Sequence, residues 1–161
     1  MTAIPSGRTE TPRRPKIIVG VDGSDDSRRA LAWALAEADL RNADLHVVIA
    51  WAFPYAWGRG FNSEWADDAD FFAKAAEKEA EEAVAELLGS AARPTWLNVH
   101  AFEGSAAPVL LDLSRDADLL VVGSRGRGGF RGLMLGSVSS ACARHASCPI
   151  AVIPAAEDRS K

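Results

Sequence analysis

Cationic surplus, long apolar runs and cysteine are all scarce in this sequence. Eighteen lysines and arginines against 22 aspartates and glutamates leave a formal charge of −4. No domain-wide positive field is available to hold a polyanion, so nucleic acid is not expected as a partner. Apolar stretches such as Leu119 to Val122 fall far short of the roughly 18 residues that span a bilayer. The amino-terminal MTAIPSGRTETPRRPK has no apolar signal-peptide core, and neither membrane insertion nor export is expected. The only cysteines, Cys142 and Cys148, make neither a disulfide framework nor a Cys/His metal quartet. They read as buried small hydrophobes of a protein in a reducing, cytoplasmic location. His46, His100 and His145 fall on separate predicted elements with no ligand cluster beside them, so neither a metal site nor a catalytic triad is assembled from them.

What is present fits one globular domain: 161 residues, 48% of them apolar. Residues 1–15 hold three prolines and three arginines but almost no large apolar side chains, and are expected as a flexible arm. The domain proper is expected over residues 16–154, with 155–161 as a tail. Its first strand is KIIVGVD from Lys16, a β-branched run ending in turn residues. A helix over Asp26 to Arg41 follows, with Leu31, Trp33, Ala34, Leu35 and Ala38 placed near one face. Leu45 to Trp51 is the second strand, Ser63 to Leu88 a long Ala/Glu-rich helix stopped by Gly89. Thr95 to Phe102 is the third strand. GSAAPVLLDLSRDA is a short helix that tolerates Pro108 because it lies in the first turn. Asp118 to Gly123 is the fourth strand, Ser137 to His145 the fourth helix, and Pro149 to Ile153 a fifth strand bracketed by prolines.

Strict alternation of short apolar strands with helices predicts an α/β protein: an open five-stranded parallel sheet with helices on both faces, a Rossmann-like sandwich. Ligands of such sheets collect beyond the carboxyl ends of the strands where the winding reverses. That directs attention to the segments after strands one and four.

After strand four the chain reads GSRGRGGFRGLMLGSVS, with five glycines among the ten residues from Gly123. Closely spaced glycines let backbone amides converge on an anion, and the candidate cradle runs over Gly123, Ser124, Arg125, Gly126, Arg127, Gly128 and Gly129. Gly136 and Ser137 then open the fourth helix, where uncommitted N–H groups and the positive end of the helix dipole favour a phosphate. Ser137 and Ser139 can add hydroxyl donors, and Arg125 or Arg127 counter-charge. A merely flexible surface loop with Ser137 as an ordinary cap is the plain alternative. No GK[ST] follows the glycines and no GxGxxG follows strand one, which disfavours P-loop hydrolysis and dinucleotide binding. Asp22, Asp25 and Asp26 evoke a phosphoacceptor receiver, but Phe102-Glu103 and Ile153-Pro154 stand where that chemistry needs an Asp and a Lys. A flavin phosphate after strand one would meet DGSDDS and be repelled.

The spacing Gly123-x2-Gly126-x9-Gly136-Ser137, with IIVGVDGS in strand one, resembles the ATP-binding members of the universal stress protein family over about residues 16 to 154. The resemblance implies an adenine nucleotide alpha hydrolase-like fold. It places Gly20, Val21, Asp22 and Ser24 beside the nucleotide, Ala50 at the adenine pocket, and Gly123, Arg125, Gly126, Gly136, Ser137, Val138 and Ser139 at phosphate and ribose. Asp22 can accept a hydrogen bond from adenine or ribose, or hold Mg2+ through water; capping the first helix is its plain alternative. Which arginine meets a phosphate stays open.

The resemblance also implies a homodimer through strand five, whose apolar edge is an association hazard unless paired. The expected function is that of an ATP-binding regulator of the stress response, acting through nucleotide occupancy and a protein partner. The rivals are a slow ATPase or phosphotransferase, for which Asp22 is the only candidate group and no catalytic residue is assigned, and a sensor of AMP or cyclic AMP. Eight of the twelve aromatics lie between Trp51 and Phe72. They are expected to fill local core, with a cover over adenine or a subunit contact as alternatives.

Overall fold

The computed structural model describes residues 13–52, 65–127 and 134–156. The strands are β1 (Lys16–Val21), β2 (Asp44–Trp51), β3 (Leu97–Glu103), β4 (Leu119–Gly123) and β5 (Ile150–Ile153). Between them run the helices α1 (Asp25–Arg41), α2 (Trp65–Leu88), α3 (Ala106–Leu113) and α4 (Ser137–His145). All strands pair in parallel, in the order β3-β2-β1-β4-β5, which is the architecture expected from the alternation of elements. The chain winds outward from β1 to β3, crosses back through α3 to β4, and continues to β5. The winding therefore reverses between β1 and β4.

Strand periodicity assigns each side chain to a face. Ile17, Val19 and Val21 of β1, with Leu45, Val47 and Ile49 of β2, pack on Ala30, Leu31, Ala34 and Ala38 of α1 and Ala76, Ala80 and Val84 of α2. Ile18, Val48, Leu120 and Val122 point to the other face, against Leu110 of α3 and Cys142 of α4. The alanines let α1 lie close to the sheet: Ala30, Ala34 and Ala38 are each 0% exposed. Trp33, expected among them, is 37% exposed. At about 100° per residue it stands some 200° round the helix from Leu31, on the solvent side.

The boundaries have local causes. Ser24 is the α1 cap, accepting the Ser27 amide at 3.2 Å, so the helix begins at Asp25 rather than Asp26. Gly89, at φ +55°, follows α2 as expected. Pro108 sits in the first turn of α3, which ends at Leu113 and passes into a 3-10 turn over Ser114–Asp116. β3 begins at Leu97, two residues later than expected, because Leu97 is the first residue in register with β2, opposite Leu45. Of the expected arm, Arg13 and Arg14 are described: Arg13 pairs with Asp118 at 3.0 Å and Arg14 with Asp44 at 3.4 Å.

His46 and His100, expected apart, meet on one face of adjacent strands. Nδ1 of one lies 2.9 Å from Nε2 of the other, with the rings stacked at 5.1 Å. β2 and β3 pair with His46 opposite Asn98 and Val48 opposite His100, which sets the two rings on a diagonal. Burial lowers the pKa of both, and the charge of His100 lowers that of His46 further. Burial pushes the thiols of Cys142 and Cys148 upward, the inert state expected of packed cysteines.

Candidate functional site

A cleft of about 720 Å³ opens over the carboxyl ends of β1, β2 and β4, where the winding reverses. Gly20, Val21 and Asp22 reach it from β1 and its exit, and Ala50 from the end of β2. Gly123, Arg125, Gly126 and Arg127 enter from β4 and the segment after it, and Gly136, Ser137, Val138 and Ser139 from the start of α4. Twelve of the positions the sequence points to thus meet in one concavity. Ser24 and Ser124 do not line it. Gly128 and Gly129 lie outside the described residues, as do Phe53, Tyr55, Trp57 and Phe61.

The floor at α4 is built from uncommitted amides. Gly136 is the helix N-cap and uses no side chain; its own N–H goes to the Ser124 carbonyl at 2.7 Å, and its carbonyl accepts the Ser140 amide at 2.9 Å. The amides of Ser137, Val138 and Ser139 have no hydrogen-bond partner among the described residues, as the geometry of a helix start dictates. The Ser139 hydroxyl, expected as a donor to the anion, is spent otherwise. It donates to the Ser124 carbonyl at 2.7 Å with the Gly136 carbonyl at 3.1 Å, and Ser139 is 2% exposed. Its amide, not its hydroxyl, is left without a partner among the described residues.

Ser124 is a fastener behind the site. Its N–H donates to Ile153 at 2.8 Å, its hydroxyl donates to Asp26 at 3.3 Å and accepts the Ala155 amide at 3.1 Å, and its carbonyl takes Gly136 and Ser139. One buried serine therefore joins β4, β5, α1 and α4.

Asp22 fastens the other wall. One carboxylate oxygen accepts the Ser24 amide at 3.0 Å and the Ser24 hydroxyl at 2.5 Å; the other accepts the Arg127 amide at 3.1 Å. It thus supports the α1 cap through Ser24 rather than capping the helix itself, and ties the β1 exit to the β4 exit. Burial works to raise the Asp22 pKa, but hydrogen bonds from the Ser24 hydroxyl and amide, the Arg127 amide and Ser27 outweigh it. The net position is below the ordinary value of 3.8. A group whose folded pKa is depressed stabilises the fold above its unfolded value and loses that contribution as pH falls through the folded one. Thermal unfolding is therefore expected to show an acid-side loss that develops below about pH 3.8. Asp22→Asn is expected to flatten that limb; an unchanged acid limb in the variant would contradict the assignment.

Charge around the cleft is arranged in pairs. Arg125 Nε lies 3.6 Å from an Asp26 oxygen, and Arg127 pairs with Glu79. Glu79, Phe72, Ala75 and Ala76 of α2 and Trp51 of β2 form a wall that sequence reading did not assign to the site. Trp51 and Phe72 belong to the dense aromatic stretch for which a cover over adenine is one alternative, whereas Ala75, Ala76 and Glu79 lie beyond it and carry no signal in the sequence. Among the described residues no group of three or more His, Cys, Asp or Glu side chains is placed to hold a metal ion, and no helix is long and apolar enough to cross a membrane.

Fold and site together define a doubly wound parallel α/β sandwich with a cleft at its switch point, bordered by the unpartnered amides that open α4. A family model described as the universal stress protein family matches residues 14–154. A universal stress protein of Mycobacterium bovis is 35% identical over 150 residues, covering 86% of this chain and 47% of that protein; another, from Mycobacterium tuberculosis, is 36% identical over 148 residues. The chain belongs to the universal stress protein family. It spans about half the length of the curated relatives it matches. Among solved structures, UspA of Lactobacillus plantarum superposes with a TM-score of 0.67 at 21% identity, covering 89% of this chain and 99% of that one. A universal stress protein solved in complex with cAMP superposes with a TM-score of 0.60 at 27% identity, covering 86% and 96%.

Proposed function

We propose that the switch-point cleft binds an adenine nucleotide, ATP foremost, and that the protein regulates a stress response through occupancy of that cleft. The observation that carries this is the convergence of the Ser137, Val138 and Ser139 amides with Arg125 and Arg127 around one concavity. The phosphates sit on the α4 amides, where the helix dipole adds to the hydrogen bonds. The base lies toward Ala50, and Asp22 is within reach of the ribose or of Mg2+ through a water. Mg2+ arrives on the triphosphate, since Asp22 offers one carboxylate whose oxygens already accept three protein hydrogen bonds. Gly20, Val21, Gly123, Gly126 and Gly136 contribute backbone and space.

The energetics suffice. Burying about 100 Å² of adenine contributes roughly 2–3 kcal/mol, and each charge-assisted phosphate hydrogen bond about 1.5–3. After an association cost of about 4 kcal/mol or more, a micromolar Kd is within reach. Mass spectrometry of gently purified protein is expected to find adenine nucleotide, and calorimetry to give micromolar ATP affinity. Failure to bind any adenine nucleotide would overturn the reading.

AMP or cyclic AMP is the second reading, favoured by the cAMP complex of the relative at 27% identity. Competition among ATP, AMP and cyclic AMP separates the two. Turnover is not proposed as the function: Asp22, the one candidate group, is occupied in holding Ser24 and the Arg127 amide. A turnover of about 1 per second or faster, abolished by Asp22→Asn, would favour the enzyme instead.

We also propose a homodimer through β5. That strand is half-buried along its length and pairs only with β4 among the described residues. Beside it Met134 and Leu135 line an apolar depression with Val152 and Pro154, and Met134 is 93% exposed. Sedimentation equilibrium at micromolar concentration is expected to give a dimer; monomer alone would remove this proposal. The same surface is where occupancy of the cleft can be read by a protein partner, because Ser124 links the start of α4 to β5.

A further inference from the structure

The guanidinium at the cleft mouth is already held by one of the protein's own carboxylates. Arg127 Nη2 donates to Glu79 Oε1, joining the segment after β4 to the middle of α2. The Arg127 amide meanwhile donates to Asp22 at 3.1 Å. The bridge passes over Gly23, at φ +75°, where a Cβ would collide with both the Arg127 guanidinium and the Glu79 carboxylate. Arg127, Glu79 and Asp22 all line the cleft.

The two guanidiniums of the site are paired differently. Asp26, the partner of Arg125, is 14% exposed, sits in the first turn of α1 and also accepts the Ser124 hydroxyl. Arg127 and Glu79 are 62% and 37% exposed, so solvent already weakens their attraction and their separation costs little. The Arg127–Glu79 pair is the one an incoming anion can exchange.

We propose that Glu79 is a specificity-determining residue that occupies Arg127 in place of a phosphate. A phosphorylated ligand takes Arg127 from Glu79 and must do so against that carboxylate, whereas the unphosphorylated nucleoside leaves the pair intact. Glu79 therefore selects on phosphate rather than on base. This rests on the nucleotide reading above, and the measurement is chosen to separate the two.

Calorimetric or competition titrations of the full chain with ATP and with adenosine, on wild type, Glu79→Gln, Arg127→Gln and the double variant, test it. Glu79→Gln is expected to tighten ATP about two- to fivefold, the range of an exposed ion pair, and to leave adenosine unchanged. The gain is expected to vanish in the Arg127→Gln background, because Glu79 then has no cation to withhold. Glu82→Gln, which breaks an exposed pair with Lys78 at 3.6 Å on the same helix, controls for net charge and is expected to change neither ligand. Equal or weaker ATP binding by Glu79→Gln, an equal gain for adenosine, or a gain that persists without Arg127 would overturn the proposal while leaving the nucleotide reading standing. Absence of adenine-nucleotide binding in wild type and all variants would overturn both.

Discussion

Replacing Gly136 by Asp is expected to weaken ATP binding by about 100-fold while leaving the protein folded. A Cβ at Gly136 would lie 3.4 Å from Arg125 Cα and 3.6 Å from the Gly126 nitrogen, ordinary contact distances that require no movement of the backbone. The residue has φ −74° and ψ 174°, the extended conformation of an N-cap, and aspartate is among the residues preferred there. Its carboxylate can accept the amides that the cleft otherwise offers to a phosphate. Helix α4 is therefore capped more firmly at the same time as its anion site is filled from within. A 100-fold effect is about 2.7 kcal/mol, close to the loss of two charge-assisted hydrogen bonds at the low end of their range of about 1.5–3 kcal/mol each. Thermal unfolding with calorimetry reads both halves: an unchanged or raised Tm with lost affinity is expected. Retained affinity in a folded variant would mean that the phosphates do not sit on α4.

Gly123 is expected to behave in the opposite way, through the fold rather than the ligand. A Cβ added there would stand 2.8 Å from both the carbonyl carbon and the oxygen of Asp26, and 3.1 Å from its Cβ. The obstacle is backbone, so the first turn of α1 must move away from the end of β4. Gly123→Ala is expected to cost about 1–3 kcal/mol, the usual range for overpacking. That corresponds to a fall in Tm of roughly 3–10 °C for a domain of this size. Displacing Asp26 also disturbs its contacts with Arg125 and the Ser124 hydroxyl, so ATP binding is expected to weaken with it. A variant that melts with wild type would show that α1 has slack at this contact.

Strand and helix order was legible because β1, β2, β4 and β5 are short apolar runs rich in Val and Ile and because some element ends carry local stops. Gly89 after α2 and the proline pair around β5 act within a few residues of themselves. The cleft was legible for the same reason: its glycines and the opening of α4 lie on one stretch of chain, and parallel topology brings β1 beside β4. Features that depend on two distant segments were not. Glu79 reads as one more glutamate of an Ala/Glu-rich helix until α2 is laid across the mouth of the site. His46 and His100 read as separate until β2 and β3 come into register. Trp33 reads as core because it is bulky and apolar, but its angle from Leu31 turns it to solvent. The Ser139 hydroxyl reads as a ligand donor because its competitors, the carbonyls of Ser124 and Gly136, become neighbours only when β4 and α4 pack together.

Backbone amide shifts followed by NMR during titration with ATP address the phosphate site most directly. The largest changes are expected at Ser137, Val138, Ser139 and Gly126, with smaller ones at Ala50 and Val21. Saturable ATP binding that left the α4 amides unmoved and shifted a different surface would contradict the assignment of the cleft.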